Sequence, residues 1–205
     1  MVDRRMPAKR EAILAAATAV FLREGYARAS VDTIAAKADV SKRTVYSHFA
    51  DKEALFLAVV NTAHNELFGT ASVDIADLLC RPDRVDHDIR LIGRRVLDYL
   101  LEPEVAALRR LIIAEVAHHP GIGAACRHGV PHQIAQWMAG RLGELAAAGA
   151  LSVDDPVRAA HQFMSLLVAN GLSESLYGTS ALDETQAAAI VDDAADIFLR
   201  AYRRR

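Results

Sequence analysis

Apolar residues recur at three- and four-residue intervals along almost the whole chain, the spacing that gives a helix one buried face. Sustained apolar/polar alternation is missing, and the Asn170–Gly171 pair lies inside helical periodicity rather than between two alternating runs, so no hairpin is expected there. The pattern predicts an all-α protein of about nine helices. The first is expected over residues 7–24, with Ile13, Ala17, Val20, Phe21 and Tyr26 on its inner side, Pro7 in the first turn and Gly25 as the stop. Two short helices follow, over 32–38 and 42–49, and a fourth opens after Asp51, a natural N-cap with Glu53 in the first turn. Longer helices are expected over 86–101, 103–118, 120–148 (broken near Gly129–Pro131), 154–177 and 183–204.

The short pair raises a physical problem. An isolated helix needs about 12–15 residues to be even marginal in water, so segments of this length survive only when packed on a longer neighbour, here the first helix. In the second of them Val45 and Phe49 stand four apart and face inward, toward Ile34, Ala35, Ala38 and Val40. Lys42, Arg43, Thr44, Tyr46, Ser47 and His48 are left with no core role. With Ser41 as N-cap, Lys42, Arg43 and Thr44 occupy the first turn, where the positive helix end already favours phosphate. A helix N-terminus bearing cations and hydroxyls is the surface that a helix-turn-helix presents to the DNA major groove. Tyr46, His48 and Lys52 are expected against the backbone, and Ser30 and Thr33 add hydroxyls from the preceding short helix.

Charge supports a polyanion partner once the chain is divided. The net charge of the 205 residues is −2, but residues 1–50 carry nine Lys/Arg against five Asp/Glu, and the remainder 15 against 21. A basic first quarter on an acidic body is thus hidden in the total. Only Cys80 and Cys126 are present, too few for a disulfide framework, and no apolar run reaches the length of a membrane span. A cytoplasmic protein with no membrane partner is expected. No Gly-rich phosphate loop, nucleophile elbow or zinc-protease motif appears, so no enzymatic activity or cofactor is expected.

Residues 10–57, through Thr33–Ile34–Ala35, Val40–Ser41, Thr44–Val45–Tyr46, His48–Phe49 and Lys52–Glu53–Ala54–Leu55, resemble the DNA-binding head of the TetR/AcrR family of bacterial transcriptional regulators. That resemblance implies DNA contacts at Thr33, Arg43, Thr44, Tyr46, His48 and Lys52, to which the helix-end position adds Lys42. Asp39 stands where the family usually has glycine; aspartate tolerates a left-handed backbone. The resemblance further implies residues 1–55 as head, and 56–205 as a ligand-binding and dimerisation domain. It implies a homodimer on a palindromic double-stranded operator, acting as a repressor released by a small, largely apolar molecule.

In the body, apolar and small residues at helical spacing on the last two helices are expected to form half of a four-helix dimer interface: Met164, Leu167, Val168, Gly171, Ser175, Ile190, Ala194, Ile197, Phe198 and Ala201. A ligand cavity is expected among the middle helices, lined by Leu91, Arg94, Leu111, Glu115, Trp137, Met138, Phe163 and Asn170. Two alternatives stand beside this reading. His118, His119, Cys126, His128 and His132 fall within fifteen positions and could serve a metal-responsive regulator, although their spacing matches no zinc signature and no metal is assigned. The body could also serve dimerisation alone, with no inducer.

Overall fold

The helical spacing is realised in a computed structural model that describes residues 5–75, 78–79, 81–119 and 130–204; among these there are nine α-helices and no strand. They are α1 (Arg5–Glu24), α2 (Val31–Lys37), α3 (Lys42–His48), α4 (Lys52–Ile75), α5 (Val85–Leu101), α6 (Pro103–Glu115), α7 (Val130–Ala147), α8 (Pro156–Glu174) and α9 (Glu184–Tyr202). Side chains set several of the limits. Gly25 closes α1 at φ +77°, a conformation only glycine takes without strain. Asp155 caps α8 through the Arg158 amide, and Asp183 with Gln186 forms a reciprocal capping box on α9. Glu102 accepts from the amides of Glu104 and Val105 and so starts α6. The expected helix over 120–148 is seen only as α7, because residues 120–129 lie outside the described residues.

Two compact units are built from this chain, which passes from one to the other within α4 and again within α6. The first comprises, of the described residues, 5–64 and 107–119. Its core joins Ile13, Val20 and Phe21 of α1 to Ile34 of α2, Val45 of α3, Leu55 and Phe56 of α4, and Leu108 and Ile112 of α6. Phe21, Tyr26 and Phe56 form an aromatic triangle with ring centroids 5.1–5.8 Å apart. A boundary after residue 55 therefore cuts through this unit: helical periodicity gives the buried face of α4 and α6, not the neighbour that covers it.

The second unit packs α5 against α8 and α9, and α7 against α8. Its largest fully buried side chains include Ile89, Ile92, Leu97, Leu100 and Phe163. At Gly171 a Cβ would stand 2.6 Å from Leu97 Cδ1, so any larger residue there would force the buried Leu97 side chain of α5 to move. This core corrects the expected dimer face. Met164, Leu167, Gly171, Ser175, Ile190, Ala194 and Phe198 are buried inside the protomer, and Val168 is half-buried against the same core. Only Ile197, 54% exposed, and Ala201 remain on the surface. Three- and four-residue spacing marks a buried stripe; here the stripe is covered by the protomer's own α5.

Candidate nucleic-acid interface

The turn between α2 and α3 is only four residues long, and both helices of the pair are capped. Ser30 accepts from the Thr33 amide at 3.0 Å and Ser41 from the Thr44 amide at 3.1 Å, so each short helix carries its own N-cap. Asp39 sits at φ 52°, the left-handed conformation expected for it, and lets the amide of Val40 reach the carbonyl of Ala35 at 3.0 Å. Val45 of α3 is buried while Lys42, Arg43, Tyr46 and Ser47 are exposed. One face of α3 thus holds the helix to the head and the other is presented to solvent.

The sequence-derived contact residues differ in how free they are. Arg43 has no hydrogen bond or ion pair among the described residues, and Tyr46 is 46% exposed. Lys42 instead spans to Asp32 of α2 at 2.8 Å, a hydrogen bond that pushes its ammonium pKa up. Thr44 shares its hydroxyl with Ser41 at 2.8 Å and Thr33 shares its own with Ser30 at 2.8 Å, so both hydroxyls are engaged in capping. His48 is half-buried with its ring tilted on Phe49.

Lys52 departs furthest from expectation. Its ammonium donates to the carbonyls of Tyr26 (2.9 Å), Ala29 (3.2 Å) and Ala27 (3.3 Å) and lies 4.5 Å from the centre of the Tyr26 ring. Three carbonyls take up all three donors of an ammonium. Lys52 therefore clamps the α1–α2 turn to the start of α4 and has no donor to spare for a phosphate strand. Next to it, Glu53 meets His119 Nδ1 at 3.3 Å, and the His119 ring stands edge-on to Tyr26 at 4.9 Å. Burial, followed by Glu53, Asp51 and Glu115, raises the Tyr26 phenol pKa. Tyr26 and His119 are the residues that the sequence reading missed as a pair. The adjacent Lys52 and Glu53, opposite in charge at the start of α4, were the available signal, since both need partners once the helix is packed.

The other candidates are divided between the two units. Leu111 and Glu115 belong to the first unit, and the six remaining ligand candidates to the second. There Met138 and Phe163 are fully buried, and Leu91 and Trp137 pack partly buried on the same core. Arg94 instead lies on the surface of α5, bound to Glu184 and to Asp98; these bonds push its pKa up and hold the Glu184 carboxyl below its usual range. Asn170 is exposed on α8. Of the His/Cys series, His119 is committed to Glu53, His132 lies 5.4 Å from His161 ring to ring, and Cys126 and His128 lie outside the described residues. Among the described residues no group of three or more metal-ligating side chains converges, and no helix is long and apolar enough to cross a membrane.

Comparison with known proteins decides what kind of molecule carries this geometry. Residues 13–59 match the family described as bacterial regulatory proteins, tetR family, and residues 88–204 match the C-terminal domain of the AefR-like transcriptional repressor. The chain belongs to the TetR family. It is a DNA-binding transcriptional regulator of a family without enzymatic activity; members typically act as homodimers. A crystal structure of a TetR-family regulator from Mesorhizobium loti MAFF303099 is 28% identical with a TM-score of 0.88, covering 98% of this chain and 100% of that one. The flavonoid-responsive regulator FrrA is also 28% identical, with a TM-score of 0.79 over 97% and 99% of the two chains. The transcriptional activator FasR of Mycolicibacterium smegmatis is 33% identical over 48% of this chain, and the chain spans 51% of that protein's length. The repressor TetR of Mycobacteroides abscessus is 39% identical over 33% of this chain and 35% of its own length.

Proposed function

We propose that this TetR-family protein is a cytoplasmic homodimeric repressor that sets α3 of each protomer into successive major grooves of a palindromic operator, and that a small, largely apolar ligand in the second unit releases it. The observation that carries the reading is the exposed, unpaired Arg43 on the capped, otherwise anchored α3. A guanidinium with all five donors free can pair with guanine in the major groove, and the exposed Tyr46 is assigned to the phosphate backbone. Lys42 joins them by exchanging Asp32 for phosphate. The match to a repressor's C-terminal domain supports repression, and the fully buried Met138 and Phe163, with Leu91 and Trp137 beside them, support an apolar ligand; the flavonoid-responsive relative points the same way.

Selection of bound duplexes from a random pool at near-physiological salt tests this directly. A recovered palindrome is expected. With it, Tyr46→Phe should weaken binding severalfold, while Arg43→Ala should relax base preference at one position of each half-site, a discrimination of about 1–3 kcal/mol. No selected sequence from folded protein, or Arg43→Ala weakening all sequences alike, would sink the base-reading role.

For the dimer, the outward residues of α8 and α9 replace the buried stripe. Ile197 and Ala201 of α9 lie exposed, as does Ala169 of α8, and a Tyr202–Gln162 hydrogen bond joins the two helices. Ile197→Asp places a charge where an apolar contact is proposed; it should give a folded monomer in light scattering and weaken operator binding on the order of tenfold or more. A variant that remains dimeric would place the interface elsewhere.

A further inference from the structure

On the second unit, an open depression of about 380 Å³ lies between the start of α5 and the end of α9, large enough for a small molecule. We propose that it is a site for a phosphate-bearing small anion, held chiefly by Arg200 and Arg203 and separate from the apolar core to which the inducer is assigned. Charge is the first reason. The second unit carries eleven Lys/Arg against eighteen Asp/Glu, a net of −7, yet the lining of this depression holds four arginines and two aspartates, a local surplus of two positive charges. Asp192, paired with Arg90 at 3.0 Å, lowers that surplus to one, still of the sign that attracts the −1.5 to −2 of a phosphomonoester near neutral pH.

Unused donors are the second reason. Arg90 is committed, to Asp192 at 3.0 Å and to Asp196, and forms the rigid back of the site. Arg203 meets Asp86 at 3.0 Å through one nitrogen only and is 66% exposed. Arg200 has no closer acid than Asp196 at 3.7 Å and is 84% exposed. Both therefore keep the planar fork that pairs with phosphate oxygens in a bidentate manner. The backbone is shaped around them as well. Leu151 and Arg203 form an isolated antiparallel bridge, and the Ser152 amide donates to the Tyr202 carbonyl at 2.8 Å, which pins the residues after α9 to the α7–α8 loop. Gly149, at φ +74°, accepts from Arg204 Nη1 at 3.3 Å, where a Cβ would stand 2.7 Å from that nitrogen. Leu199 adds a buried apolar lining for the organic part of the ligand.

Isothermal titration of the full chain with inorganic pyrophosphate tests the site. Saturable binding is expected, weakened at least tenfold in Arg200→Ala/Arg203→Ala and tightened severalfold in Asp196→Asn, which removes the competing carboxylate. Arg200→Ala alone breaks no close ion pair and should weaken binding with the melting temperature unchanged, so a folding defect in the double variant does not obscure the result. Arg43→Ala on the head should leave binding as it is. An absence of saturable binding up to millimolar pyrophosphate overturns the proposal. So does binding indifferent to Arg200 and Arg203, or binding lost with Arg43, which would put the anion on the DNA-reading helix.

Discussion

Lys52→Ala is expected to destabilise the head by about 2–3 kcal/mol, the scale of losing hydrogen bonds to a charged group that leave their acceptors behind. The ammonium reaches three carbonyls of one turn, those of Tyr26, Ala27 and Ala29, and stacks on the Tyr26 ring. Removing it leaves those carbonyls to water and frees the start of α4 from the turn that leads into α2. Operator affinity should fall with it, because α2 and α3 are positioned from that turn, and it should recover on cooling. Arginine should not restore the clamp: a planar fork cannot converge three donors on three carbonyls around one point as a tetrahedral ammonium does. Thermal melting combined with the salt dependence of operator binding decides the matter. A phosphate contact at Lys52 would instead leave the melting temperature alone and reduce the salt slope by about one unit. The clamp lowers the melting temperature and leaves the slope in place.

Lys52 also illustrates where the sequence is legible and where it is not. Local chemistry could be read: Ser41 as a cap, Asp39 in a left-handed turn, Val45 inward with Arg43 outward, and Asp183 opening α9 all depend on neighbours within about four positions. Whatever depends on which element covers a given face could not. Lys52 and Tyr26 lie 26 positions apart, and Glu53 and His119 lie 66 apart; no periodicity encodes such a meeting. The apolar stripe through Met164, Leu167 and Phe198 failed for the same reason. Burial against α5 and burial against a second protomer require the same residue types at the same spacing, and the two differ only in what arrives. The depression near Arg203 was equally hidden, since α5 residues and the chain after α9 share it only after folding. Charge gave a partial signal, but a total of −2 averages a basic head, an acidic body and a basic spot on that body.

Phe163→Ala should be the most destabilising substitution in the second unit, by about 3–5 kcal/mol. The ring is fully buried, stands 5.5 Å from Phe198 in an edge-on arrangement, and reaches toward Gly93 of α5, where a Cβ would lie 3.3 Å from its Cζ. Truncation removes apolar surface and contacts to both α5 and α9, and glycine on α5 offers no side chain to fill the space. Trp137, the single tryptophan, packs on the same core, so its fluorescence during urea unfolding reports this unit. The size of the loss also bears on the inducer. A well-packed Phe163 gives the full penalty, and a ligand must then open the core by moving helices, which couples binding to a change of shape. A loss under about 1 kcal/mol would instead mean that the surrounding helices collapse onto the truncated site at little cost. A core that soft would admit a ligand without a defined change of shape, and release of DNA would have to originate in contacts elsewhere in the unit.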